Sequence, residues 1–429
     1  MKIQVKKSRG FKGEIPVPGD KSISHRAAFI GSLGLGETEI SNFSEAGDCL
    51  ATLRCLQEIG AEIKKEKGCK VTIQGKNLYG FREPEAVLEA QNSGTTARFL
   101  AGLLSGQNFF SVISGDSSLQ KRPMKRVVEP LQKMGAWIDG RNGGSFLPLA
   151  VRGQRLKGIK YKIPIPSAQL KSSLILASLL AHGKSEIEES LPSRDHTERM
   201  LGYFGADIKR KNGLIEIYGE RRFKGQKIII PGDFSSASFF ITAAMLVENS
   251  NVVIPDVGLN PTRTGFLRIV EEMKGQISIH EEKVICGEPV GTLVVSSSML
   301  KGVEIKHHVI PTMIDEIPLI SLLATQAKGK TVVKGASELR VKESDRIAAV
   351  VSNLRKMGVE IDEMKDGFTV EGPQKLKGAS VQSFGDHRIA MAMAVAGLAA
   401  EGGTEIEGFS CHSVSFPHFY TSLKKWENG

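Results

Sequence analysis

One segment recurs six times along the chain: a Ser or Asp, an apolar helix-forming run, a Gly and then a β-rich run. The starts are Ser22, Ser93, Ser167, Ser235, Asp315 and Asp386. They lie roughly 70–80 residues apart, a period long enough to mark structural repeats, so the chain is constrained to copies of one supersecondary unit. Ser and Asp oxygens cap the free N–H groups of a first helical turn. Most of these starts carry a cation or an amide close by: Lys21 and Arg26, Arg98, Gln169 and Lys171, His387 and Arg388. Helix N-termini present unpaired donors and the positive end of the helix dipole. A repeat fold that gathers such starts therefore makes a site for small anions.

A second helix series interleaves with the first. Ile59-Gly-Ala-Glu-Ile63, Met134-Gly-Ala-Trp-Ile138, Phe204-Gly-Ala-Asp-Ile208 and Met357-Gly-Val-Glu-Ile361 each close an amphipathic helix with Gly and begin a strand. Gly takes the left-handed conformation that helix C-termini commonly need. Lys274-Gly-Gln-Ile277 reads as a looser fifth copy, and the sixth unit stops at its helix, from Ser415 to about Trp426. Helix, strand, helix, strands in each unit is an α/β arrangement. Pro18-Gly-Asp-Lys-Ser22 and Pro231-Gly-Asp-Phe-Ser235 are near copies, and each opens three units. With 429 residues, too many for one ordinary core, these matched breaks predict two domains that meet at them.

The bulk composition narrows the partners. An apolar fraction of 41% and a charged fraction of 24% describe a globular protein, and the net charge of +10 invites acidic ligands. Basic residues alternate with acids, as in Lys64-Lys65-Glu66-Lys67, and aromatics are only 6%, which is poor material for a nucleic-acid groove. Five cysteines without a CxxC pair argue for a reducing compartment. The N-terminus lacks signal-peptide character, and the longest apolar stretch, Ile389 to Ala400, is too short to span a bilayer. A cytoplasmic protein is expected.

Several strings concentrate chemistry. In Pro18-Gly-Asp-Lys-Ser-Ile-Ser-His-Arg26, Lys21 precedes a helix start and Arg26 lies one turn beyond Ser22 on the same face. In Asn92-Ser-Gly-Thr-Thr-Ala-Arg98, Gly94 costs helix stability and is explained by a group approaching the backbone or by a tight helix contact. Arg122 precedes a Pro, on an extended or turn segment from which its fork reaches a carboxylate or phosphate. Ser167-Ala-Gln-Leu-Lys171 supplies hydroxyl and amide donors, and Arg194-Asp-His-Thr-Glu198 reads as a charged helix start capped by Asp195. Arg340-Val-Lys-Glu-Ser-Asp-Arg346 packs five charges into seven positions, with Glu343 and Arg346 on one helix face. Asp386-His-Arg388 opens the most apolar helix, an odd place for three ionisable groups unless something charged docks there. No metalloprotease, Walker or dinucleotide motif is present, and no cofactor or metal is expected.

In this order the strings PGDKSISHR, NSGTTAR, KRPM, SAQLK, RDHTE, NPTR, RVKESDR and GDHR closely resemble the EPSP synthase family over essentially the whole chain. The resemblance implies an α/β, two-domain enolpyruvyl transferase fold of six βαβαββ units, three per domain, around a central cleft. The first domain is expected over residues 20–231, and the second over 1–19 plus 232–429. Hinge crossings would lie near Gly19-Asp20 and Pro231-Gly232. It also implies transfer of the enolpyruvyl group of phosphoenolpyruvate to the 5-hydroxyl of shikimate 3-phosphate by addition–elimination, releasing phosphate, without metal or cofactor. By the same resemblance Lys21, Ser22, Arg26, Ser167, Ala168, Gln169, Arg194, Asp315 and Lys342 bind shikimate 3-phosphate. Lys21, Gly94, Arg122, Gln169, Arg346 and Arg388 surround phosphoenolpyruvate. Asp315 is the expected base at the 5-hydroxyl, with Glu343 and Lys21 moving the methylene proton. SAQLK, RDHTE and NPTR, with Ala168 where many relatives have Ser, resemble the bacterial class II branch. The protein is expected to be a monomer that binds neither nucleic acid nor membrane. The alternatives are the related transferase acting on UDP-N-acetylglucosamine, whose usual loop Cys is missing from Gly115–Arg122, and a non-catalytic polyanion-binding module.

Overall fold

The apolar run of each repeat becomes a long helix: α1 (Lys21–Leu33), α2 (Gly94–Ser105), α3 (Ala168–Leu180), α4 (Phe234–Leu246), α5 (Ile317–Gln326) and α6 (His387–Ala399). The computed structural model describes residues 1–427. Every side chain from Phe234 to Met245 in α4 and from His387 to Leu398 in α6 is buried. A helix hidden on all sides belongs inside a domain, and α4, α5 and α6 pack against one another. In the other half α2 packs on α3 and touches α1. Gly102 of α2 lies against α3 so closely that a Cβ there would stand 2.2 Å from the Ser173 carbonyl oxygen.

The chain divides into two units, one of Gly19–Ile230 with Ile285–Glu288, the other of Met1–Pro18, Pro231–Val284 and the chain from Pro289 onward. Each has its own apolar core. Among the described residues there are six sheets, five of four strands and one of three. The sheet of Leu88–Glu89, Phe110–Ser114, Trp137–Gly140 and Phe146–Arg152 shows the pattern. Its first two strands are parallel and joined through α2, and the last two complete it antiparallel, in the order first, second, fourth, third. Two units of repeated α/β segments are the architecture the resemblance implies. Each unit also borrows strands across long stretches of sequence. Lys227–Ile229 runs parallel to Leu35–Ser41, Lys12–Glu14 parallel to Asn251–Gly258, and Ile3–Lys6 antiparallel to Gly403–Glu407.

The caps differ in part from the sequence reading. Ser93, Ser167 and Asp386 do cap α2, α3 and α6, accepting from the N–H groups of Thr96, Leu170 and Arg388. For α1 and α4 the cap is the Asp of Pro-Gly-Asp: Asp20 accepts from the Ile23 N–H and Asp233 from the Ser235 N–H, each at 2.9 Å. A carboxylate at a helix start is a stronger acceptor than a hydroxyl, so it takes the role and leaves Ser22 and Ser235 inside the first turn. Asp315 is not the cap residue of α5, a position held by Glu316; it sits in a 3-10 turn, Ile314–Glu316, ahead of that helix. Asp195 precedes its helix without a capping bond, its carboxylate being taken by Arg199 and Arg210.

Helix ends of the second series follow one rule. Gly60, Gly135, Gly205 and Gly358 have φ of +95, +101, +77 and +83°, and the next N–H bonds back to Leu56, Leu131, Leu201 and Leu354. In the fifth copy the same bond runs from the Gly275 N–H to the Val270 carbonyl, and the left-handed residue is Lys274 at φ +66°. The copy therefore aligns one residue earlier than its glycine suggests.

This gives a paired expectation. Gly358→Ala should cost about 1–2 kcal/mol, the penalty of a Cβ in the left-handed region. The added Cβ itself meets only the Lys377 side chain, at 3.5 Å, so strain is the main term. Lys274→Gly relieves the same strain but frees the unfolded chain, for a net gain below about 1 kcal/mol. Urea unfolding of the two variants should move the midpoints in opposite directions.

Candidate active site

In the unit built on Gly19–Ile230 the starts of α1, α2 and α3 come within hydrogen-bonding reach of one another. Arg26, one turn into α1, is 3% exposed. Its Nε donates to Thr197 Oγ1 at 2.7 Å, Nη2 to Ser172 Oγ at 3.0 Å and Nη1 to the Ser22 carbonyl at 2.7 Å. Burial pushes its pKa below the usual arginine range, with Arg194 adding to the effect and Glu198 opposing it. Arg194 in turn donates to Ser22 Oγ at 3.3 Å. So Ser22, Arg26 and Arg194 share one place, and their polar partners there include hydroxyls and a carbonyl.

Beside them Gln169, near the start of α3, accepts from Arg98 Nη1 at 2.6 Å and donates to Thr95 Oγ1 at 2.9 Å. A Cβ on Gly94 would stand 2.6 Å from Arg98 Nη1 and 3.7 Å from Arg122 Nη1, so the glycine lets two guanidinium groups approach the first turn of α2. Arg122 has the extended backbone expected before Pro and is held by Asn92 Oδ1 at 2.6 Å. Ser167 uses its hydroxyl as the cap of α3, and Ala168 is the first residue of that helix. Lys21 Nζ lies 3.0 Å from Asp48 Oδ2, a carboxylate the sequence reading did not bring to it. His25 donates or accepts at Thr52 Oγ1, 2.7 Å away, and Thr52 continues through Thr96 to Ser93, tying α1 to the cap of α2. Burial, with Lys21 and Arg26 adding repulsion, holds the His25 pKa well below its ordinary value, so its ring stays neutral at pH 7.

Behind this surface sits an ion cluster that sequence reasoning missed. The Lys171 ammonium, fully buried, lies 2.7 Å from Glu189 and 2.8 Å from Glu198 and donates to the Ser193 carbonyl at 3.2 Å. It pins the segment that carries Arg194. Helical spacing gives Lys171 the face of Ser167, but its acidic partners come from a strand and a helix some twenty residues on, which no local pattern shows.

The other unit gathers the starts of α4, α5 and α6 around Arg346 and Arg388. Arg346 is 2% exposed. Its Nε meets Asp386 Oδ2 at 2.8 Å, Nη1 meets Asp315 Oδ1 at 3.1 Å and Nη2 meets Glu343 Oε2 at 2.5 Å. Burial opposes its charge, but Asp386, Glu343 and Asp315 outweigh that and hold the pKa above the usual arginine value. Arg388 Nη2 is 3.4 Å from Asp315 Oδ2, so that carboxylate is shared by two guanidinium groups. Lys342, half-buried, has its pKa lowered, chiefly by desolvation and also by Arg346, although Asp315 and Glu343 oppose the shift. The expected helical face of Glu343 and Arg346 is corrected: Asp345 caps the helix at Arg346, and Glu343 lies just before it, so the arginine reaches back.

His412, next to Cys411, stacks on Phe409 and has both ring nitrogens within hydrogen-bonding distance of carbonyls, which is a packing role. No helix among the described residues is long and apolar enough to cross a membrane.

Comparison with known proteins follows the same lines. The family description EPSP synthase (3-phosphoshikimate 1-carboxyvinyltransferase) matches residues 5–423. The chain is 50% identical over 428 residues to a 3-phosphoshikimate 1-carboxyvinyltransferase of Petrotoga mobilis, covering 99% of both chains. It is 51% identical over 423 residues to one from Thermoanaerobacter, again covering 99% of both. In structure it is similar to EPSP synthase from Acinetobacter baumannii, with a TM-score of 0.88 at 40% identity, covering 99% of this chain and 98% of the other. These matches correct the expected branch: the chain is a class I form, not a class II form. The strings behind that expectation do internal work here. Gln169 of SAQLK bonds Arg98, Asp195 and Thr197 of RDHTE bond Arg210 and Arg26, and Arg263 of NPTR bonds Glu316, so they report scaffold contacts and not a branch. Along essentially its whole length, the chain belongs to the EPSP synthase family.

Proposed function

We infer that this chain transfers the enolpyruvyl group of phosphoenolpyruvate to the 5-hydroxyl of shikimate 3-phosphate and releases phosphate. The observation that carries the reading is Asp315, a carboxylate held between Arg346 and Arg388: a base candidate in direct contact with the cations an anionic substrate needs. Near full-length matches to carboxyvinyltransferases, at 50 and 51% identity, weigh the same way, against the UDP-N-acetylglucosamine transferase and the non-catalytic module.

In this proposal Lys21, Ser22, Arg26, Ser167, Ala168, Gln169 and Arg194 take the shikimate phosphate and ring, with Asp315 and Lys342 at the ring hydroxyls. Lys21, Gly94, Arg122, Gln169, Arg346 and Arg388 take phosphoenolpyruvate. Arg98, bonded to Gln169 and beside Gly94, joins that second group. The reaction adds a proton to the methylene carbon while the 5-oxygen, losing its proton to Asp315, bonds to the neighbouring carbon. The methyl proton is then removed as the carbon–oxygen bond to phosphate breaks, and the phosphate leaves with a proton. Glu343 and Lys21 carry the methylene proton. Binding two mutually repelling anions in reacting geometry supplies about 7–11 kcal/mol of barrier reduction. A cytoplasmic monomer acting only on small molecules completes the reading.

The direct test is phosphate release by the purified protein. Release that requires both phosphoenolpyruvate and shikimate 3-phosphate is the expected result; release with UDP-N-acetylglucosamine instead, or with neither acceptor, overturns it.

Lys342 adds a pH signature. Its lowered pKa means that the ammonium is lost below the usual lysine value of 10.5, weakening the hold on shikimate 3-phosphate as pH rises. Lys342→Arg keeps a charge at every accessible pH. The alkaline limb of kcat/KM for shikimate 3-phosphate should therefore move to higher pH in that variant, and an unmoved limb assigns it to another group.

Gly94→Ala should push the Arg98 guanidinium aside, since the new methyl would stand 2.6 Å from it. Inhibition by glyphosate, the inhibitor that the family resemblance implies, should weaken more than phosphoenolpyruvate binding does. Inhibition constants and KM values measured together would show equal losses if the space beside Gly94 did not discriminate.

A further inference from the structure

Arg388 is held by a residue that the reaction scheme leaves out. We propose that Ser235, backed by the buried Arg263–Glu316 pair, is a positioning residue that aims the Arg388 guanidinium at the phosphoenolpyruvate anion. The proposal rests on the assignment of Arg388 to that substrate.

Ser235 Oγ lies 2.5 Å from Arg388 Nη1, 2.5 Å from Arg263 Nη2 and 2.5 Å from Glu316 Oε1. A hydroxyl has one proton to give and two lone pairs to fill, and a guanidinium only donates. Both lone pairs are therefore taken by the arginines, and the proton goes to Glu316. All three capacities are used, so the hydroxyl has one orientation. It is available for this because Asp233 caps α4 in its place.

The backing is rigid. Arg263 is 3% exposed and grips Glu316 with two parallel bonds, Nη1 to Oε2 at 2.6 Å and Nη2 to Oε1 at 2.7 Å. Its guanidinium also lies over the Phe234 ring, 5.7 Å from the centroid. Such a fork fixes geometry as well as charge. Glu316 is thus engaged by Arg263 and stands 3.8 Å from Arg388 Nη1, farther than the serine.

What Ser235 contributes is a neutral acceptor. A carboxylate in its place would neutralise Arg388 and compete with an incoming anion. Without any acceptor there, Arg388 would turn toward the oxygens already near it, Glu316 Oε1 at 3.8 Å and Asp315 Oδ2 at 3.4 Å. Either move withdraws the cation from substrate, and the second also burdens the proposed base.

The test compares Ser235→Ala and Ser235→Thr with the wild type, measuring KM for each substrate, kcat and thermal stability, with crystal structures of the alanine variant and the wild type. Loss of a charge-assisted hydrogen bond should raise KM for phosphoenolpyruvate roughly ten-fold. KM for shikimate 3-phosphate should stay within about two-fold, and the threonine hydroxyl should restore most of the loss. A purely structural role would lower stability and kcat and leave both KM values alone; that result, or equal shifts in both, overturns the proposal. Should the alanine variant fail to fold, Arg263→Lys, which keeps the charge and loses the fork, is read by the same split. If wild-type protein releases no phosphate from the two substrates, the functional reading falls separately. The proposal then stands or falls on the crystals: Arg388 swung onto Asp315 or Glu316 supports it, and Arg388 in its wild-type place overturns it.

Discussion

The buried guanidinium of Arg346 is the constraint on which one of the two clusters of helix starts depends. Each of its three nitrogens meets a different carboxylate: Asp386 at the start of α6, Asp315 ahead of α5, and Glu343 from its own approach segment. Desolvating such a charge is expensive, and removing one partner of a buried pair costs about 3–5 kcal/mol. Asp386 has a second duty, accepting the Arg388 N–H as the cap of α6. One carboxylate thereby sets where α6 begins, where Arg346 lies and, through the backbone, where Arg388 starts. The positions of the candidate proton carriers Asp315 and Glu343 follow from the same cation.

The two units hold their central arginines differently. In the Gly19–Ile230 unit Arg26 bonds to hydroxyls and a carbonyl and burial lowers its pKa, while the lysines Lys21 and Lys171 are the cations paired with carboxylates. The neighbouring His25 ring is kept neutral chiefly by burial, with Lys21 and Arg26 adding repulsion. Such a surface is suited to an anion that brings its own charge. In the other unit the arginines are interleaved with carboxylates, which lowers the net field but supplies groups able to move protons.

Much of the fold was legible because its signals are local. The six-fold period, the Pro-Gly-Asp breaks and the glycines closing the second helices depend on residues within one turn of each other, and they mark helices that exist. The errors were also local in kind. Ser22 and Ser235 looked like caps until an Asp two residues earlier took the role, and Lys274 carries a left-handed conformation that the neighbouring Gly275 appeared to claim. SAQLK, RDHTE and NPTR suggested a branch that the relatives do not support, since short strings bound up in scaffold contacts say little about lineage.

The sequence by itself determined the repeat architecture and the residue types of the site, because helix starts, charge and glycine conformation are written within a few positions of each other. Asp48 beside Lys21, the acids around Lys171 and the Ser235–Glu316–Arg263 anchor of Arg388 were decided only by the tertiary structure. Their partners lie 18 to 153 residues apart. A hydrogen bond or ion pair is a matter of a few ångströms and a direction, and only the packed helices bring such distant atoms to that separation.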